Sequence, residues 1–130
     1  MLVESALCEG VKGFLYYIIM QNQHLIDEMT ERLKELKPYK VILFGSYANG
    51  TATKDSDLDV LVVLDSDDFA KTFKEQNERY LLASNAVKEI NCKIPIDILV
   101  YSKAEYNDIR EQDTLFFREI RNTGKVLYEK

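Results

Sequence analysis

The clearest pattern in this chain is over positions 57–64, where two aspartates alternate with apolar residues at the start of an apolar run, which predicts a β-strand. Successive side chains of a strand point to opposite faces, so Asp57 and Asp59 share one face. Residues 94–101 alternate in the same way and include Asp97. The opposite faces are apolar and consist of Leu58, Val60, Val62 and Leu64 in the first strand, and of Ile94, Ile96, Ile98 and Val100 in the second. Two acid-bearing strands with one buried face each are therefore predicted.

The segment before these strands shows helical spacing of its apolar residues. It predicts an amphipathic helix over residues 22–36, followed by a strand over residues 39–44. A short helix is predicted over residues 46–49, because Gly50 can end it.

A long helix is predicted between the two acid-bearing strands, from the segment 66–68 to Ile90. Its buried side is expected to comprise Phe69, Phe73, Tyr80, Leu81 and Val87. A right-handed crossover through this helix makes the two strands parallel or places them in one mixed sheet. Ser102 and Glu105 form a predicted capping box, and a final helix that stops near Gly124 precedes a strand over residues 125–128.

The acidic pair becomes informative together with Gly45-Ser46, which is separated from Asp57 by ten residues and stands directly after an apolar strand. Paired carboxylates repel each other, and such pairs are typical of sites where a divalent cation, commonly Mg²⁺, neutralises them. A glycine and a hydroxyl residue at the end of a strand can present backbone N–H groups to phosphate oxygens. A metal site beside a phosphate site indicates nucleotide chemistry.

At these residues the chain resembles the nucleotidyltransferase superfamily that includes DNA polymerase beta. The signature of that superfamily is Gly-Ser, ten residues, then Asp-x-Asp, with a third carboxylate on a later strand, which Asp97 provides. The chain is most similar to the minimal nucleotidyltransferases, the antitoxin-type partners of HEPN proteins, over roughly residues 21–129. One position departs from the pattern, since Asn49 stands where the family often has arginine.

The resemblance implies an α+β fold of the polymerase-beta type, with a small mixed sheet that carries the three acids and is flanked by helices. It implies that Asp57, Asp59 and Asp97 are catalytic and hold two Mg²⁺ ions, and that Gly45 and Ser46 bind the nucleotide. ATP is the implied donor, and the implied acceptor is a tyrosine hydroxyl of a HEPN toxin partner.

Composition narrows these expectations. With 130 residues and 46% hydrophobic residues, the chain supports one core, and we divide it into an extension over residues 1–19 and a nucleotidyltransferase domain over residues 20–130. A net charge of -5 makes a nucleic-acid partner unexpected. Cys8 and Cys92 lack metal-ligand spacing and indicate free thiols in a reducing compartment, the cytoplasm. The apolar run over residues 14–20 is too short to span a membrane.

Two alternatives stay open. The chain could be a binding module that neutralises its partner by occlusion without catalysis. It could also be a nucleotidyltransferase that acts on a small molecule such as an aminoglycoside, although one short domain offers little room for a separate acceptor site.

Overall fold

The structure is a computed structural model that describes the backbone of residues 11–130 and the side chains of residues 22–130. Helices and strands alternate along it in the order α1 (Val11–Lys34), β1 (Lys40–Phe44), α2 (Ser46–Asn49), β2 (Leu58–Leu64), α3 (Phe73–Ala86), α4 (Lys88–Asn91), β3 (Ile96–Ser102), α5 (Lys103–Glu111), α6 (Leu115–Thr123) and β4 (Lys125–Glu129).

The four described strands form one mixed sheet in the order β3-β2-β1-β4. Strands β2 and β3 are parallel and in register, so Asp59 lies beside Asp97. Strand β1 runs antiparallel to both of its neighbours, β2 and β4. The predicted mixed sheet of an α+β fold is confirmed, and the acid-bearing strands are the parallel pair.

Each face of the sheet is covered by a separate set of helices. On one face, apolar residues of α1, α3 and α4 such as Leu33, Ala83 and Ile90 pack on the apolar sides of β1, β2 and β3. On the other face, Tyr106 of α5 and Phe117 of α6 pack on Leu61 of β2 and its neighbours. The first face corresponds to the apolar alternation in the sequence, because Leu58, Val60, Val62, Ile98 and Val100 all lie in that core.

The helix that follows β2 differs from its prediction. It begins at Phe73 with Thr72 as its N-cap, whereas residues 65–72 form no helix. Two hydrogen bonds hold this segment instead: the Asp68 amide donates to Ser66 Oγ, and the Ala70 amide donates to Glu105, which is distant in sequence. The local bond to Ser66 competes with helix formation, and the bond to Glu105 holds Ala70 outside the helix, which together explain the late start.

The predicted buried side of this helix is also wrong. Of the five residues, only Val87 is buried, and Phe73 is 86% exposed. The buried residues are instead Ala83 of α3, Val87 directly after it and Ile90 of α4, and α3 ends at Ala86 rather than at Ile90 as predicted. A small alanine lets the helix approach β3 closely, so the large apolar residues at other angular positions face outward.

The other predicted elements are confirmed. Ser102 and Glu105 form the capping box of α5, Gly50 ends α2 with a left-handed φ of 83°, and β4 follows Gly124. Helix α1 extends from Val11 to Lys34, so it begins eleven residues before the predicted start at residue 22 and ends two residues before the predicted end. The division at residue 19 stays a prediction, since residues 1–10 and the side chains of residues 11–21 lie outside the description. Within residues 11–130, no helix is long and apolar enough to cross a membrane.

Candidate active site

The three predicted acids meet at one end of the parallel strand pair. Asp59 and Asp97 are register partners on adjacent strands, and both point away from the α1 core because their neighbours in sequence are buried in it. Asp57 immediately precedes β2, which begins at Leu58 rather than at Asp57 as predicted. Asp59 is half-buried, whereas Asp57 and Asp97 are exposed. The structure therefore brings together the carboxylates that the sequence pattern singled out.

The turn at Gly45 is built around the Asp59 carboxylate. Strand β1 ends at Phe44, which lies directly opposite Asp59 across the β1–β2 ladder, and Gly45 follows with φ 72° and ψ -154°. That backbone region is nearly exclusive to glycine. A Cβ atom at Gly45 would also overlap Asp59 Oδ2. Gly45 is thus required both for the turn and for the space that the carboxylate occupies.

Ser46 begins the short helix α2 directly after this turn. The Gly45 carbonyl accepts hydrogen bonds from the Ala48 and Asn49 amides at 3.1 and 3.0 Å. Tyr47 and Ala48 are buried in the α1 core, which anchors α2 against the sheet. The Gly45-Ser46 turn and the Asp59 carboxylate are consequently held next to each other by packed structure on both sides.

The negative charges of the three carboxylates are not compensated by cationic side chains of the described residues. Burial raises the pKa of Asp59, and the charges of Asp97 and Asp57 raise it further. Among residues 22–130, no lysine, arginine or histidine forms a salt bridge with any of the three. Uncompensated carboxylates in one place indicate that a positive group from outside residues 22–130 completes the site.

The donor set suits a hard divalent cation, since Mg²⁺ prefers carboxylate oxygens. The charges of Asp97 and Asp57 both raise the pKa of Asp59, which shows that they act on the Asp59 carboxyl. Within the described residues, however, no group of three or more His, Cys, Asp or Glu side chains is close enough to hold an ion without adjustment. Repulsion among the carboxylates gives a physical reason for this spacing, and Asp57 and Asp97 are exposed.

Asn49, the residue that departs from the family pattern, forms hydrogen bonds within the loop that follows α2. Its Oδ1 accepts hydrogen bonds from the Thr51 amide at 3.1 Å and from Thr51 Oγ1 at 2.6 Å. The side chain therefore stabilises the exit from α2.

A cavity of about 400 Å³ lies at the end of the sheet where β2 and β3 begin, although none of the three acids lines it, and sequence reasoning did not find it. Its lining consists of Asn22, Lys54, Asp55, Ser56, Lys93, Ile94 and Pro95. Lys54 stands three residues before Asp57, and Lys93 stands four residues before Asp97. This repeated placement of a lysine ahead of an acid-bearing strand was the available signal in the sequence.

Comparison with known proteins agrees with this geometry. The family of the nucleotidyltransferase domain matches residues 26–110, a span that contains Gly45, Ser46 and all three acids. The chain belongs to this family, and it is a nucleotidyltransferase of the polymerase-beta-like superfamily.

Among individual relatives, the chain is 30% identical over 112 residues to a protein of Methanocaldococcus jannaschii named "putative protein adenylyltransferase". That match covers 84% of this chain and the whole of the relative. The crystal structure of a protein from Sulfolobus solfataricus named "putative nucleotidyltransferase" superposes on this chain with a TM-score of 0.54 and 16% sequence identity. It covers 87% of this chain and 88% of the other, and it supports the fold.

Proposed function

We propose that this chain transfers AMP from ATP to a hydroxyl group of a protein, in a reaction that depends on Mg²⁺. The observation that carries the proposal is the convergence of Asp57, Asp59 and Asp97 without a cationic partner among the described residues, next to the Gly45 turn. The name of the archaeal relative favours a protein as the acceptor. We further propose that the acceptor is a tyrosine of a HEPN-type partner in the cytoplasm, and that the chain acts as its antitoxin.

In this proposal Asp57, Asp59 and Asp97 hold two Mg²⁺ ions. When bound, such ions neutralise phosphate charge and lower the pKa of a coordinated hydroxyl. The Gly45-Ser46 turn receives the phosphate tail of ATP through its backbone N–H groups and the Ser46 hydroxyl. The acceptor oxygen bonds to the α-phosphorus, the bond from that phosphorus to the bridging oxygen breaks, pyrophosphate leaves, and the hydroxyl proton passes to solvent.

The placement of the acids supports a protein acceptor over an enclosed small molecule. Asp57 and Asp97 are exposed at the end of the sheet, and the cavity at that end is open and lined mainly by polar residues. A site that is open on one side can be completed by a partner surface. Small-molecule pockets, in contrast, bury most of their ligand.

Transfer can be tested by mixing the chain with a HEPN-type partner, Mg²⁺ and ATP, followed by intact-protein mass spectrometry. We expect the partner to gain the mass of one or more AMP groups on tyrosine, and Asp97→Ala to prevent the gain. Asp108→Ala is a suitable control, because Asp108 is an exposed acid on α5.

The two alternatives give different results in the same assay. A complex that silences the partner without any added mass would show that the chain acts by occlusion. AMP transfer to an aminoglycoside at a higher rate than to protein would overturn the proposed acceptor.

A further inference from the structure

The cavity at the start of β2 and β3 carries positive charge in an otherwise acidic molecule. The net charge of the chain is -5, yet Lys54 and Lys93 line this cavity together with a single carboxylate, Asp55. Within residues 22–130, neither lysine forms a salt bridge, although Asp55 lies in the same lining. The two ammonium groups are therefore available to an anion from outside the described chain.

The framework of the cavity is held in place by hydrogen bonds. The Leu58 amide donates to the Pro95 carbonyl at 2.9 Å, which ties the loop before β2 to the loop before β3. Ser56 Oγ accepts from the Thr53 amide at 2.8 Å, and Asn22 Nδ2 donates to Tyr47 Oη at 2.8 Å. The loops that carry Lys54 and Lys93 are thus fixed relative to the strands that carry the acids.

The strand order separates Lys93 from the Gly45 turn. Gly45 follows β1, Lys54 precedes β2 and Lys93 precedes β3, and β2 lies between β1 and β3 in the sheet. Lys93 therefore lies on the side of the acids away from the phosphate tail, if that tail occupies the Gly45-Ser46 turn as in the proposed function.

We propose that the cavity binds an acidic side chain of the acceptor protein, adjacent in sequence to the hydroxyl that is modified. Lys54 and Lys93 would pair with that carboxylate and offset its repulsion by Asp57 and Asp97. This inference rests on the proposed function, since it names a feature of the acceptor at the same site.

A nucleic-acid acceptor would use the same two lysines for its phosphates, but the molecule is poorly suited to it. Sequence-independent binding to a phosphate backbone depends on many cationic contacts, and two lysines beside three carboxylates supply few. The resemblance in sequence to a protein with "protein adenylyltransferase" in its name also favours a protein acceptor over a nucleic acid.

The test uses synthetic peptides that contain one tyrosine flanked by glutamate, by glutamine or by lysine. Binding to the full chain is followed by NMR without nucleotide, so that the readout does not depend on transfer. We expect the glutamate peptide to bind most tightly and to shift the amide signals of Lys54, Ser56 and Lys93. Lys54→Gln and Lys93→Gln should each weaken this binding about fivefold, as a partly screened ion pair would.

Lys74→Gln is the matched control, because Lys74 is exposed on α3 and lines no part of this cavity. The double variant Lys54→Glu, Lys93→Glu should prefer the lysine-flanked peptide. Equal binding of the three peptides would overturn the proposal, and so would a short single-stranded RNA that binds the cavity more tightly than the glutamate peptide. Absence of AMP transfer would contradict the proposed function alone, whereas absence of charge preference would contradict this inference alone.

Discussion

Acidic residues lie at both ends of the parallel pair β2 and β3, but only those at one end are paired with cationic side chains of the described chain. At the end where the strands begin, Asp57, Asp59 and Asp97 have no cationic partner among the described residues, and the pKa of Asp59 is raised. At the end where the strands finish, Asp65 and Glu105 are paired, and their pKa values are lowered. This difference in pairing distinguishes acids that stabilise the fold from acids that are available to a ligand.

At the end where β2 and β3 finish, hydrogen bonds and cationic side chains compensate the charges of Glu105 and Asp65. Burial alone would raise the pKa of Glu105, but hydrogen bonds from the Ser102 and Ala70 amides and the charge of Arg79 lower it below its ordinary value. The Arg79 and Glu105 side chains, only 15% and 12% exposed, form a salt bridge. Asp65 is bound by Lys130 and lies 3.7 Å from Lys103. These contacts join α3, α5 and the chain end to the sheet, so their role is structural.

The largest effect should come from neutralising an acid at the unpaired end. We expect Asp59→Asn to reduce AMP transfer by about a thousandfold or more, because metal ions contribute several kcal/mol of transition-state stabilisation. Asp65→Asn should leave transfer nearly unchanged. Initial rates with labelled ATP measure both, and a comparable loss in the two variants would mean that the ends do not differ in function.

The next largest effect should be on stability at the paired end. Arg79→Met should lower the free energy of unfolding by about 2–3 kcal/mol, because it leaves Glu105 ionised and largely buried without its counter-charge. Urea denaturation at neutral pH measures this loss. A change below roughly 0.5 kcal/mol would show that the Arg79–Glu105 salt bridge contributes no more than an exposed one.

The same variant should respond differently to acid. A carboxylate whose pKa is lower in the folded protein stabilises the fold above its unfolded pKa, and that stability is lost as the pH falls through the folded pKa. Glu105 follows this rule in the wild type. The acid-induced loss of stability should therefore be smaller in Arg79→Met than in the wild type.

The Gly45 turn links the backbone to the unpaired acids, and two glycines allow a matched test. Gly45→Ala should cost about 2 kcal/mol of stability and displace the Asp59 carboxylate, since its backbone region is strained for alanine. Gly50 also has a positive φ, but a Cβ atom added there would meet no other atom within 4 Å. Gly50→Ala should therefore cost about 1 kcal/mol and spare activity. Equal losses of activity in Gly45→Ala and Gly50→Ala would show that Gly45 has no particular role in the site.

The smallest expected effect concerns the charge of Asp59 itself. Its folded pKa is raised, so the folded state holds its proton more tightly, and ionisation costs stability once the pH exceeds the folded pKa. In chelator at neutral pH, Asp59→Asn should be as stable as the wild type or up to about 1 kcal/mol more stable. A clear loss in a chelator-treated melt would show that Asp59 supports the fold.

The acid-bearing strands were predictable because alternation with a period of two places Asp59 and Asp97 against apolar neighbours. Helix α3 was not, because its start depends on the distant Glu105, which accepts the Ala70 amide, and its buried side depends on a small alanine. The contact between Gly45 and Asp59 and the joining of Lys54 and Lys93 in one cavity arise from tertiary packing. Spacing alone could not show either of them.

The most direct test of the central claim is the stabilisation by Mg²⁺ of the wild type, Asp59→Asn and Asp65→Asn, measured as melting temperature with and without chelator. Mg²⁺ at a hundredfold excess over its dissociation constant should contribute about 2.7 kcal/mol to any variant that keeps the site. The account predicts that Mg²⁺ raises the melting temperature of the wild type and of Asp65→Asn, and leaves that of Asp59→Asn unchanged. Equal stabilisation of all three proteins would contradict it.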